Sequence, residues 1–361
     1  YKLYYLVLGF FSLVLVLPII GILSKIEFEF LYFIEFFDDS YNIKLFYISF
    51  FQAFLSAIIS CIIGIVFALS LYRHKELLIS KILISLCGYS FVLPSILIVF
   101  SVIGLFGSNG VLNHYTGFYQ IFNIKSMFGL KAIILGHILL NGPFATRLFF
   151  QNLNTVSKNY IDLSKALGLG FWTYTIKIEW PILKQNFLST FSIIFVLCFL
   201  SFAVVMALGS GPSTSTIEVA IYQLALFELN FNKAIILSIF QILICIIFLI
   251  TGFYKQRNSN FFEINTNHFQ HQFKDKSIIK HIDFLLIFCM AIFLFSPIIF
   301  IINTFIHSIF LQNIFFNEYF INAFINSLFL CILTGFLATS IGFVVSILLV
   351  QTRNIFLLQQ T

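Results

Sequence analysis

Polar residues interrupt this chain only at intervals, and the apolar stretches between them are long enough to decide its class. Runs of about 18 or more residues with few or no charges recur at 5–23, 47–71, 82–106, 132–150, 188–208, 234–254, 284–303 and 321–350. A helix of roughly 20 apolar residues crosses the hydrocarbon of a bilayer. There, a helix satisfies its own backbone hydrogen bonds. The pattern predicts an all-α membrane protein with one span in each run.

Composition agrees, and the basic residues add direction. The chain is 60% hydrophobic and 9% charged, where a soluble domain is about 25% charged. Of its 20 Lys and Arg, only Lys25, Lys44, Lys125, Lys131 and Lys233 fall on one set of connections; the rest lie on the other, around 73–81, 147–184 and 255–280. Loops rich in Lys and Arg stay in the cytoplasm, so the amino end and the segment 157–183 are predicted inside. The formal charge of +6 is spread over these loops as membrane anchoring. No basic block exists to bind nucleic acid.

Candidate chemistry is sparse. Cys61, Cys87, Cys198, Cys245, Cys289 and Cys331 all lie in apolar runs without metal-ligand spacing, which predicts small buried hydrophobes. His268 and His271 read as a solvated pair. The 51 phenylalanines read as compositional bias, with no role assigned. No cofactor or metal is expected, and no array of carboxylates, Ser-His pair or HExxH pattern supports an enzyme in the membrane.

The chain repeats itself. "FSLVLVLPIIGIL" (11–23) resembles "MAIFLFSPIIFII" (290–302), with Pro18 matching Pro297 at an offset of 279. "FQAFLSAIISCIIGIVFALSLYRHK" (51–75) resembles "FLCILTGFLATSIGFVVSILLVQTR" (329–353) at an offset of 278, pairing Ser56 with Thr334 and Gly64 with Gly342. Two matches in order at nearly one offset predict a first half with six spans (1–257, including the loop 157–183), a cytoplasmic linker (258–280) and the first two spans of a second half (281–361). Parallel repeats of this kind suit two half-transporters with a path between them. The chain lacks an initial Met and stops where a third span of the second half would begin, so that half is expected to be truncated.

The segment 157–183 is the polar exception near the middle of the chain. Ser157 is placed as an N-cap, Tyr160, Leu163 and Leu167 recur at i, i+3 and i+7, and Gly168 stands where a left-handed C-terminal residue is wanted. A second helical run, 171–178, is expected to close at Trp180-Pro181, because the residue before proline is pushed out of the α region. Pro181 then opens the next membrane helix. A helix-turn-helix with one apolar stripe between two spans suits docking into a groove of another protein. An interfacial amphipathic linker is the alternative.

These residues resemble permease subunits of ABC importers, whose loop motif reads Glu-Ala-Ala, three residues, Gly, nine residues, Ile-x-Leu-Pro. Here Gly168 is followed after nine residues by Ile178-Glu179-Trp180-Pro181; Asp162-Leu163-Ser164 stands for Glu-Ala-Ala, and Trp180 replaces the leucine. The resemblance implies a type I ABC importer transmembrane domain, a fused two-half permease whose coupling loop docks a separate ATP-binding subunit. Its docking residues by this correspondence are Asp162, Ser164, Ala166, Gly168, Phe171, Trp172, Ile178, Glu179 and Pro181. The thiamine transport permeases are the more similar subfamily, through the Glu179-Trp180-Pro181 ending and "LGSGPSTSTIEVAIYQ" (208–223). Residues contacting the solute are not assigned. The implied setting is the bacterial inner membrane, with a periplasmic solute-binding protein as second partner.

Other readings stay beside this one. Ferric-iron permeases are also fused two-half proteins. "GSGPSTST" (209–216) has a phosphate-loop flavour without the Gly-Lys-Ser/Thr ending, and it reads as a turn. Glu218 faces either the solute path or solvent. A secondary transporter places ionisable groups inside its spans, and these spans are nearly free of them. With no nucleotide-binding motif in the chain, the energy source is expected to be a partner ATPase.

Overall fold

The computed structural model describes residues 9–10, 13–14, 16–17, 20–21, 24, 39–89, 92–121, 126–256, 273, 277–308 and 318–358. Most of the predicted span 5–23, and His268 with His271, lie outside the described residues. Every regular element among those described is helical. Seven helices among the described residues are long and apolar enough to cross a membrane. The chain forms two compact units, one of residues 27–303 and one of residues 1–26 with 304–361.

Helix α1, Ser40–Arg73, starts where the Asp39 carboxylate accepts from the Tyr41 N–H at 2.9 Å, a side-chain N-cap. Its buried side is a row of small residues, including Ala53, Ser56, Ala57, Ser60, Cys61, Gly64 and Ala68. Lipid is as apolar as leucine, so membrane helices gain by close packing, and small residues permit it. α1 packs along α4, Leu130–Leu153. At Gly64 an added Cβ would lie 2.6 Å from the Cβ of Ala145 and 3.0 Å from its backbone carbon.

The predicted span 82–106 is two helices, α2 (Leu78–Tyr89) and α3 (Ser95–Phe106). Pro94, extended at ψ 128°, is the N-cap of α3. Proline bars its predecessor from the α region, so hydropathy carries through a stretch that the backbone cannot. Past α3 come two short helices, Val111–Thr116 and Phe118–Ile121. In α4, by contrast, Pro143 sits inside the helix without ending it.

After α5, Lys158–Ala166, helix α6 runs over Phe171–Phe199. The predicted span 188–208 therefore starts earlier and stops sooner, and a short helix α7, Ala203–Leu208, turns away to bury Val204, Val205 and Leu208 with α3 and α4. α8 is Ile217–Leu226 and α9 is Phe231–Gln256. Phe187, Phe191, Phe195 and Phe199, four residues apart on α6, form a ladder of rings, stacked at its two ends and tilted between Phe191 and Phe195. Phe248 of α9 stacks on Phe195 with centroids 3.8 Å apart, and Phe50 and Phe54 of α1 meet the ladder edge-on. These phenylalanines are a packing device, where the sequence suggested only bias; such pairs add about 0.5–1.5 kcal/mol each beyond burial.

Helix α10, Ser277–Ser308, follows in the larger unit to residue 303. Helix α11, Glu318–Leu358, belongs to the other unit. Of the cysteines expected to be buried, Cys61, Cys87, Cys198 and Cys245 are, while Cys289 and Cys331 are exposed on α10 and α11. An apolar run does not say which side of a span meets lipid.

Candidate functional site: the loop between α4 and α6

The polar segment forms a compact turn of two helices. The Ser157 hydroxyl caps α5, accepting from the Asn159 N–H at 3.2 Å. At the other end Gly168 takes φ +59°. Its N–H donates to the Lys165 carbonyl at 3.1 Å and that of Leu169 donates to Ser164 at 3.0 Å. This pair of bonds is a Schellman motif, and it needs a left-handed residue at Gly168. An added Cβ there would meet nothing within 4 Å. Gly168→Ala is therefore expected to cost only the backbone term, about 1–2 kcal/mol, read as faster hydrogen exchange at the Leu167 and Leu169 amides.

The second helical run does not close at Trp180. It passes from Phe171–Tyr174 through one π turn, Thr175–Glu179, directly into the membrane helix. Trp180 stays helical at φ −61°, ψ −43°, with its N–H on the Thr175 carbonyl. Pro181 lacks an N–H, and its ring crowds the carbonyl four residues back. The wider turn relieves that clash without a break.

The apolar side chains of this turn point outward. Tyr160, Leu163 and Leu167 on α5 are 53%, 55% and 65% exposed, and Trp172, Ile176 and Trp180 on α6 are 73%, 57% and 49% exposed. Spacings of i, i+3, i+7 and of i, i+4, i+8 put each trio on one helix face. Of the residues picked out by motif, Asp162, Ala166, Gly168, Trp172 and Pro181 are exposed, Phe171 and Ile178 half-buried, and Ser164 and Glu179 buried. The Ser164 hydroxyl donates to the Ile161 carbonyl at 2.6 Å. Glu179 lies near the phenols of Tyr72 and Tyr174. These last two fix the shape of the turn, and the others form its surface. A cleft of about 230 Å³ between the α4–α5 connection and α6 is lined by Ser157, Tyr160, Lys177, Pro181 and Gln185.

Three residues behind the loop were not singled out in the sequence. Arg73, at the end of α1, pairs with Asp283 of α10 through both nitrogens of its fork, and His74 Nε2 lies 3.2 Å from the same carboxylate. The Arg73 guanidinium also sits 5.6 Å from the Phe171 ring centroid. A charge at the end of one apolar run and another at the start of a distant run were the only signal.

At the opposite end of α6, Gly211 takes φ +79° as the first residue of the 3-10 turn Gly211–Thr214. The phosphate-loop-like segment is thus a turn. Glu218 accepts from Gln241 Nε2 at 2.6 Å and is part-buried, which ties α8 to α9; it is not a freely solvated carboxylate. A second cleft of about 230 Å³ lies here, with Tyr41, Met206, Ser215 and Gln223 in its wall. Among the described residues no group of three or more His, Cys, Asp or Glu could hold a metal ion.

No family model matches the chain. Curated relatives do. The thiamine transport system permease protein ThiP of Haemophilus influenzae is 36% identical over 264 residues, 73% of this chain and 48% of the relative. ThiP of Escherichia coli is 35% identical over 209 residues, 58% of this chain and 39% of the relative. The chain thus spans about half the length, or less, of these relatives. Among solved structures, a bacterial alginate ABC transporter in complex with an alginate pentasaccharide-bound periplasmic protein aligns with a TM-score of 0.59 over 71% of this chain and 94% of its own, at 15% identity. At that identity the likeness speaks for fold alone, and the fold is that of an ABC transporter membrane subunit. The chain is a homologue of the thiamine transport permeases, an integral membrane protein built on the transmembrane fold of ABC importers.

Proposed function

We propose that this chain is the permease subunit of a bacterial inner-membrane ABC importer for thiamine or its phosphates, and that residues 157–183 are its docking site for a separate ATP-binding subunit. One observation carries the reading. The turn between α4 and α6 is capped at Ser157 and Gly168, yet it leaves Tyr160, Leu163, Leu167, Trp172, Ile176 and Trp180 exposed. A turn whose apolar side stays exposed among the described residues is suited to a groove of another protein. The excess of Lys and Arg puts it, with the amino end, on the cytoplasmic side. Hydrolysis then belongs to the partner, and the chain itself is a transport subunit without ATPase activity. On the opposite face a periplasmic solute-binding protein delivers the solute.

The repeat supports a two-half reading, with the first half at 1–257, a linker at 258–280 and the start of a second half from 281. Of the nine positions that α1 buries between Ser49 and Ala68, Gln52 corresponds at an offset of 278 to Leu330, and the other eight, Ser49, Ala53, Ser56, Ala57, Ser60, Cys61, Gly64 and Ala68, correspond to Ser327, Cys331, Thr334, Gly335, Ala338, Thr339, Gly342 and Ser346 of α11. All eight are small.

The chain's tryptophans supply the test. It has two, Trp172 and Trp180, both on this loop. Their fluorescence reports the loop and nothing else, once the tryptophans of the ATPase subunit are replaced. Adding that subunit should blue-shift the emission and protect it from acrylamide; an unchanged spectrum in a mixture that co-purifies would overturn the docking site. For the solute, deletion of the full-length gene should abolish uptake of labelled thiamine. Loss of ferric-iron uptake instead would transfer the chain to the iron permeases.

A further inference from the structure

The buried charges behind the loop form a link that the coupling-loop motif does not contain. Arg73 Nε donates to Asp283 Oδ2 at 2.7 Å and its Nη2 to Oδ1 at 2.5 Å. Both side chains are buried, at 8% and 0% exposure. A two-bond fork fixes the plane of the guanidinium as well as its position. The same group lies over Phe171, the first residue of α6. Phe171 in turn meets Trp172 edge-on at 5.3 Å and Phe273 at 5.6 Å, and Phe273 also meets Tyr174. Arg73, the last residue of α1, therefore touches both the second helix of the docking loop and α10.

We propose that Asp283 is a positioning residue for energy coupling: through Arg73 it holds Phe171, so that movement of the loop reaches α10 directly, in addition to the covalent route along α6. This rests on the docking reading above. α10 follows the linker, so the contact joins the loop of the first half to the first helix of the proposed second half. A lysine at 73 could carry the charge but neither the two-bond fork nor the planar face over the ring.

The test uses the full-length permease, assembled with its ATPase subunit and solute-binding protein in lipid vesicles. Two quantities are read, the ATP hydrolysed per labelled thiamine imported and, with every tryptophan outside the loop replaced, the protection of Trp172 and Trp180 by the ATPase subunit. Asp283→Asn and Arg73→Lys should each keep the protection and raise the ATP used per thiamine at least tenfold. Asp283→Asn leaves a buried cation without its partner and can fail to assemble. The double variant Arg73→Leu with Asp283→Leu removes both charges, and it should show the same tenfold loss of coupling. A ratio within twofold of the unmodified complex in that double variant overturns the proposal. So does failure of all the variants to assemble, which would assign the pair to the fold alone. Absence of tryptophan protection in the unmodified complex is a different result, and it rejects the docking site itself.

Discussion

Replacing Trp172 by alanine should weaken capture of the ATPase subunit by about 2–4 kcal/mol, a rise in Kd of roughly 30- to 1,000-fold, while leaving the permease as stable as before. Both halves of that expectation come from position. The ring is 73% exposed, so the fold gains little from it and loses little without it. It is also held in place, edge-on to Phe171, which lies under Arg73. A preordered aromatic side chain gives up little freedom on binding, and tryptophan is enriched among the residues that dominate interface energies. Trp180 remains as the one tryptophan of these 361 residues, so with the tryptophans outside the loop and in the ATPase subunit replaced the same emission measures the binding curve. A Kd within twofold of the unmodified protein would remove Trp172 from the interface.

The loop was legible in the sequence because its signals are local. Ser157, Gly168 and the spacing of Tyr160, Leu163 and Leu167 each act within one or two helical turns, and the structure uses all of them. Proline was read less well, since its effect depends on what surrounds it. Pro94 divides a span that hydropathy joins, and Pro181 does not divide a helix that the pre-proline rule cuts, because a π turn absorbs it. The ladder on α6 was in plain view as Phe at every fourth position from 187 to 199. Its meaning depended on Phe248 and Phe50, which only the packing brings near. Arg73 and Asp283 are 210 residues apart, beyond the reach of any local rule.

The largest effect on assembly is expected at Gly64. Its α-carbon faces Ala145 so closely that even a methyl group would lie 2.6 Å from the Ala145 Cβ and 3.0 Å from the Thr146 nitrogen. Backbone atoms of a buried helix cannot swing aside as a flexible side chain can. Overpacking by a few methylene groups costs about 1–3 kcal/mol or more, and Gly64→Leu adds four carbons where α1 and α4 already touch. It should lower the thermal midpoint in detergent sharply, or abolish the folded protein. The counterpart by repeat is Gly342, where nothing lies within 4 Å of an added Cβ. Gly342→Leu should leave the midpoint of this chain unchanged. In a full-length two-half permease, where a helix equivalent to α4 packs on α11, the same substitution should become as damaging as Gly64→Leu. If Gly342→Leu is silent there as well, α11 does not play the part of α1, and the repeat does not describe how the second half is built.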